Sequence, residues 1–222
     1  MERRFEHELE SLKTTLIRMG SIAEESFKLS VTAFLSEDIQ LAQRIVDSDG
    51  RINALEIEID NSVMDMLALQ QPVASDLRLI LSAQKISNDL ERIGDHAVNI
   101  AQSALTIAKT KPKEPLLEIP KMSEIAGSML RDVLDSFIHL SPELARSVLE
   151  RDHLIDELNR SMTSEVIVLL QKDRKLIEGG LELIRVSRNL ERIGDLATNI
   201  AEDVIFLTQA RIIKHNVEDK LP

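Results

Sequence analysis

Glu91 and Asp95 stand four residues apart, and the same pair returns as Glu191 and Asp195 one hundred residues later. Both pairs lie within a hexapeptide, Leu90-Glu91-Arg92-Ile93-Gly94-Asp95, written again letter for letter as Leu190-Glu191-Arg192-Ile193-Gly194-Asp195. Around it, eleven of eighteen positions agree between 85 to 102 and 185 to 202. On a helix this spacing stacks two carboxylates a turn apart, where like charges cost roughly 0.2–0.5 kcal/mol. A divalent or trivalent cation reverses that sign, because the two acids offer hard oxygen donors to one ion or one small cluster. If Leu90 and Ile93 face a core, Glu91, Asp95 and Asn99 form an i, i+4, i+8 row turned out to solvent. The plainer alternative is a solvated helix face with internal ion pairs, in which Arg92 and Arg192 serve the neighbouring acids.

The elements that must carry these rows are helices. The chain has 222 residues, 43% of them hydrophobic, with no Trp or Tyr, seven Gly and six Pro, which suits long helices better than strands. The apolar residues recur at three-four spacing throughout. Leu9, Leu12, Leu16, Met19, Ala23, Phe27 and Phe34 mark a first helix. Ile45, Ile52, Leu55, Ile59 and Met66 mark a second, beginning near Asp38 and ending before Gln71-Pro72. Ser75 and Asp76 are placed to cap a third, which carries the stripe from Leu79 to Ile107. Three prolines between Pro112 and Pro120 read as a linker, after which the plan repeats. A fourth helix is expected from about Met122 to Leu140, a fifth opening at Ser141-Pro142-Glu143, and a sixth beginning near Gly179-Gly180. The expected fold class is all-α: two tandem three-helix up-down-up bundles related by internal duplication. The first spans 1–110, the linker 111–120 and the second 121–222.

The rest of the repeat has drifted. The second and fifth helices align at an offset of 103, and 30 to 69 against 133 to 172 retains eight identities. Seven are apolar and need only a core; the eighth pairs Asp49 with Asp152. Against that background the six identical residues imply a reason other than packing. Counting rise along the helices places Asp49 level with Asp95, and Asp152 level with Asp195, so each half has a third acid near its pair. An aspartate bonding Arg92 or a helix end accounts for that placement equally well. Glu202 and Asp203 extend the acidic row in the second half only, against Gln102 and Ser103.

Other chemistry is poorly served. The chain has no Cys, which excludes disulfides and thiolate sites and suits a reducing compartment. A formal charge of −11 repels phosphate backbones, so nucleic acid is not an expected partner. Neither a signal-like start nor an apolar run near the roughly 20 residues that span a bilayer is present. A ferritin-like di-iron site needs Glu-x-x-His from two helices, and only Glu150 to His153 fits. His96 faces Leu196 in the repeat and reads as incidental rather than a ligand. With no phosphate-cradling glycine loop and no Ser/His/Asp arrangement, an enzyme is not expected. Oxygen-only ligands suit magnesium, calcium, manganese or iron.

Together, Gln71-Pro72-Val73-Ala74-Ser75-Asp76-Leu77-Arg78, the first hexapeptide, and the run from Asn189 through Asp203 resemble the PhoU family of phosphate-transport accessory proteins. The likeness covers essentially the whole chain. It implies a cytoplasmic protein of two three-helix bundles that negatively regulates the phosphate-starvation response. In this family such proteins link the ATPase subunit of the phosphate ABC transporter to the phosphate-sensing histidine kinase, and many form homodimers. The resemblance further implies metal, as single ions or as iron or zinc clusters. Carried over by position, the ligands would be Glu91, Asp95, Glu191 and Asp195, with Asp49 and Asp152 as supporting acids. The family often closes with a glycine turn after the sixth helix, where this chain reads Leu207-Thr208-Gln209-Ala210-Arg211-Ile212-Ile213-Lys214, so the last helix is expected to run on. A storage or buffering protein for metal or phosphate is the alternative function, and a metal-dependent phosphohydrolase a third.

Overall fold

A computed structural model describes residues 2–48, 50–110 and 118–212. The first half contains α1 (Glu2–Ser36), α2 (Ile39–Asp47), α3 (Gly50–Gln70) and α4 (Ala74–Thr110). The second contains α5 (Ile119–His139), α6 (Pro142–Leu149), α7 (Asp152–Lys172), a 3-10 turn (Arg174–Leu176) and α8 (Ile177–Gln209). Among the described residues there is no strand. In each half α1 or α5 packs on the broken rod α2–α3 or α6–α7, and both pack on the long third helix. The start of α1 meets the end of α3, where Gln70 donates to Glu8, so the neighbours run antiparallel as expected.

The middle rod of each bundle departs from the expected continuous helix. It breaks after Asp47 in the first half and around Glu150–Arg151 in the second. Apolar spacing runs through both breaks, with Ala42, Ile45 and Ile52 buried on one side and Ala145, Val148 and Ile155 on the other. Periodicity alone could not reveal them. The second break is held by Arg151, whose guanidinium donates to the Ser147 carbonyl, Ser128 Oγ and Asp132, the last at 2.6 Å. Asp38 and Ser141 cap α2 and α6 by accepting from the amides of Leu41 and Leu144.

Three other boundaries also differ. The third helix opens at Ala74, which puts Ser75 and Asp76 inside its first turn rather than at the cap. α5 begins at Ile119 with Pro120 in its opening turn, so the helix starts inside the expected linker; 111–117 lie outside the described residues. The last helix does not run on. It ends at Gln209, and Ala210 takes the left-handed conformation (φ 54°, ψ 28°) in which its amide donates to the Phe206 carbonyl. Alanine here does a glycine's work against the steric cost of its Cβ.

α4 and α8 form the main seam between the bundles. Lys85 bonds Asp203 at 3.2 Å, His96 meets Asn189 at 2.8 Å, and Arg185 donates to Asn99 and Gln102. Numbers rise on one helix as they fall on the other, so the helices are antiparallel and the two hexapeptides pass each other near the centre. Leu90, Ile93, Leu190 and Ile193 are fully buried there, each contributing about 1.5–3 kcal/mol of burial. Asp203 corrects the reading of a longer acidic row. It is 3% exposed and turned into the seam, with Lys85 also lying 5.5 Å from the Phe206 ring centroid.

Gly94 and Gly194 set how closely the third helix approaches its neighbour. A Cβ at Gly94 would fall 2.6 Å from Ile52 Cδ1, and one at Gly194 would fall 3.1 Å from Ile155 Cγ2. The repeated isoleucine and the repeated glycine are therefore one contact made twice. This corrects the inference that packing does not explain the hexapeptide: its Leu, Ile and Gly are packing residues, leaving Glu, Arg and Asp for another account.

Two stability measurements check this description. In urea unfolding, Gly94→Ala and Ile52→Val should couple favourably by about 1 kcal/mol, since the valine lacks the methyl that the new Cβ strikes; additivity would mean the two do not touch. Ala210→Gly should stabilise the chain by about 0.5–1 kcal/mol by relieving the left-handed alanine.

Candidate metal centre

The close approach of α7 and α8 sets two acids on each helix against one another. Asp152 and Asp156 lie a turn apart on α7, Glu191 and Asp195 a turn apart on α8, and all four are half-buried. One carboxylate oxygen from each of Asp156, Glu191 and Asp195 falls within 4.8 Å of the others. Burial raises the Glu191 carboxyl above its ordinary range, Asp195, Asp156 and Asp152 raise it further, and Arg192 opposes them. Burial likewise raises Asp152, with Asp156 and Asp195 adding to it and His153 opposing. Asp195 is raised by burial and Asp156, against the attraction and hydrogen bond of Arg192 and the more distant pull of His96.

The first half builds a related but displaced arrangement. Glu56 and Asp60, a turn apart on α3, approach the α4 acids, and Glu56 is raised by burial first, then by Asp60 and Asp95. Asp95 is exposed and Glu91 half-buried. Relative to α7 the acids have shifted along the helix: the positions of Asp156 and Asn159 are held here by Asn53 and Glu56. The two halves share the α4 and α8 acids while drawing different partners from the adjacent helix.

Of the sequence-derived positions, Glu191 and Asp195 thus lie in the seam between α8 and α7, Asp95 lies within electrostatic reach of Glu56 on α3, and Glu91 is half-buried a turn before Asp95 on α4. The expectation that they point away from the bundle into open solvent is corrected: only Asp95 is exposed, because the glycine contact draws the neighbouring acidic helix alongside. Asp152 is brought within electrostatic reach of Asp195. Asp49 lies outside the described residues. Asp156, Glu56 and Asp60 escaped the sequence reading, although Asp152-x-x-x-Asp156 and Glu56-x-x-x-Asp60 show the same four-residue spacing as the hexapeptide acids. His96 is a seam residue. Asn189 spends its amide nitrogen on the Arg185 carbonyl, so its oxygen faces the ring and Nδ1 of His96 is the donor.

The chemistry of the donors suits a hard cation. Oxygens bound to one ion at about 2.0–2.6 Å are never more than roughly 5 Å apart, and the three acids already satisfy that limit. Asp152 Oδ1 is buried without a hydrogen-bond donor, as is Asp60 Oδ1 in the first half. Such an atom is costly unless something electropositive reaches it.

Fold and site together define a class: a duplicated, all-helical protein whose long third helices carry carboxylate sites on one face and the seam between bundles on another. The PhoU domain matches residues 16–104 and 119–204, and the chain belongs to the PhoU family. It is 38% identical over 208 residues to the phosphate-specific transport system accessory protein PhoU homolog of Aquifex aeolicus, covering 94% of each chain. The homolog of Pseudomonas putida is 37% identical, over 97% of this chain and 84% of that one. The crystal structure of PhoU from Pseudomonas aeruginosa superposes with a TM-score of 0.91 at 36% identity, covering 93% of this chain and all of the other. The phosphate transport system regulatory protein PhoU from Streptococcus pneumoniae gives 0.86 at 30% identity, covering 94% and 98%. These are accessory and regulatory proteins by name, not members of an enzyme family.

The raised carboxyls make a pH prediction. A carboxyl that holds its proton more tightly in the folded chain favours folding at low pH, and that contribution is lost as pH rises from the ordinary carboxylate range through the raised value. In chelator, Glu191→Gln should therefore stabilise the protein at pH 7 by about 0.2–0.5 kcal/mol, the cost of one stacked like-charge pair. The difference should vanish near about pH 4 in urea titrations.

Proposed function

We propose that this chain is a metal-binding regulator of phosphate homeostasis. It holds back phosphate uptake and the phosphate-starvation response by coupling the phosphate ABC transporter, through its ATPase subunit, to the phosphate-sensing histidine kinase. The proposed site of action is the cytoplasm, with the chain acting as a homodimer. The observation that carries this reading is likeness over nearly the full length to proteins named as phosphate-specific transport accessory proteins. The acidic groups lend it a mechanism. Asp156, Glu191 and Asp195 in the second half, with Asp152 beside them, would hold a hard cation, as would Glu91, Asp95 and the neighbouring α3 acids in the first. Once bound, the metal supplies positive charge that neutralises the crowded carboxylates. Among the described residues no helix is long and apolar enough to cross a membrane; attachment there is proposed to run through the partners.

Deleting the gene should derepress starvation genes at high phosphate, measured with a reporter promoter. The chain carrying Glu191→Gln and Asp195→Asn should lose metal from its second half by elemental analysis. Unchanged repression after deletion would overturn the regulatory reading, and unchanged metal content after replacing the acid pairs of both halves would overturn the ligand assignment.

A further inference from the structure

The two hexapeptides are identical, yet their arginines do different things. Arg192 lies over its acids, with Nη1 2.7 Å from Asp195 Oδ2 and Nε 3.5 Å from Glu191 Oε2. Arg92 turns back toward Asp89, at 3.7 Å. The difference originates one residue before the repeat begins, where position 89 is Asp and position 189 is Asn. Asn189 has no charge with which to draw a guanidinium. It is also 8% exposed, with its amide engaged by His96 and the Arg185 carbonyl. Arg192 is left beside two carboxylates, and its own side chain remains 59% exposed.

We propose that Arg192 is a built-in counterion of the second-half site, which a hard cation must displace to reach Asp156, Glu191 and Asp195. This rests on the reading of those acids as a cation site. Guanidinium and cation draw on the same two carboxylates, Asp195 and Glu191, so the positive charge of one opposes the approach of the other. Because Arg192 stands at the rim, it can leave into solvent without disturbing the core. The arginine therefore sets the cation concentration at which the site fills, and it does so by electrostatics rather than by ligand number. In the first half Asp89 offers Arg92 an alternative partner, so the same six residues yield two sites with different thresholds. A single Asp-to-Asn difference outside the motif thus tunes a site it does not line.

The test is a Mn²⁺ titration of the full chain carrying E91Q and D95N, which isolates the second-half site, followed by the electron paramagnetic resonance signal of free Mn²⁺. Adding R192Q should tighten binding about fivefold, the effect of removing one unit charge at roughly 4 Å in near-aqueous surroundings. Adding R92Q instead removes the same charge from the chain and should change the affinity less than about twofold. Unchanged or weaker binding by R192Q, or an equal gain from R92Q, overturns the counterion role. A separate arm with D195N tests the site itself. If Mn²⁺ binds equally well with and without that change, or binds none of these chains, the cation-site reading fails and the counterion falls with it. If binding is lost in D195N but R192Q gains nothing, the site stands and only the counterion is refuted.

Discussion

At Gly94 and Gly194 the third helix of each bundle comes so near its neighbour that a methyl group would strike Ile52 in the first half and crowd Ile155 in the second. That approach determines the electrostatics beside it. With α7 held against α8 in this way, Asp152 and Asp156 crowd Glu191 and Asp195, and three of the four carboxyls are pushed above their ordinary range. The repulsion of a stacked pair is a few tenths of a kcal/mol, whereas one fully buried leucine or isoleucine contributes about 1.5–3 kcal/mol. Packing can therefore hold the acids together at a modest cost, and a cation would return that cost.

The same helices join the bundles. α4 and α8 present acids toward α3 and α7 on one side and meet each other on another, so any charge gained at an acidic site is felt by an element shared with the seam. Asp195 lies within electrostatic reach of His96 of the other bundle, and His96 itself bonds Asn189 across the seam. Lys85 and Asp203 secure one end of the seam, and Arg185 with Asn99 and Gln102 the other. For a protein proposed to relay a signal between partners, this arrangement puts the proposed cation-binding face and the bundle contact on the same helices.

Much of this was legible in the residues, and the failures have physical causes. The all-α class, the bundle plan and the duplicated acids followed from periodicity and repetition, which long amphipathic helices express strongly, although six helices were expected where the described residues form eight. Repetition also misled. Because Ile52 and Ile155 looked like ordinary core, the glycines they touch were credited to chemistry when they serve close packing. Asp156, Glu56 and Asp60 were missed because the repeats use different positions on α3 and α7 to approach the same α4 and α8 acids, and a search for identical positions passes over such substitutions. The breaks near Ser48 and Glu150 preserve the apolar stripe, so a pattern of buried residues carries no trace of them. Asp203 read as one more acid in a row, although its rotation around α8 turns it to Lys85. At Ala210 the absent glycine suggested a longer helix, but the chain takes the left-handed turn with alanine instead.

The central claim is that α7 and α8 together offer a hard cation a set of carboxylate oxygens. Its most direct test is a crystal grown in Mn²⁺, with diffraction recorded at the manganese absorption edge. The account predicts an anomalous peak bound by oxygens of Asp156, Glu191 and Asp195. Well-ordered side chains at those three residues with no peak between them, in crystals whose Mn²⁺ binds elsewhere on the chain, would contradict it.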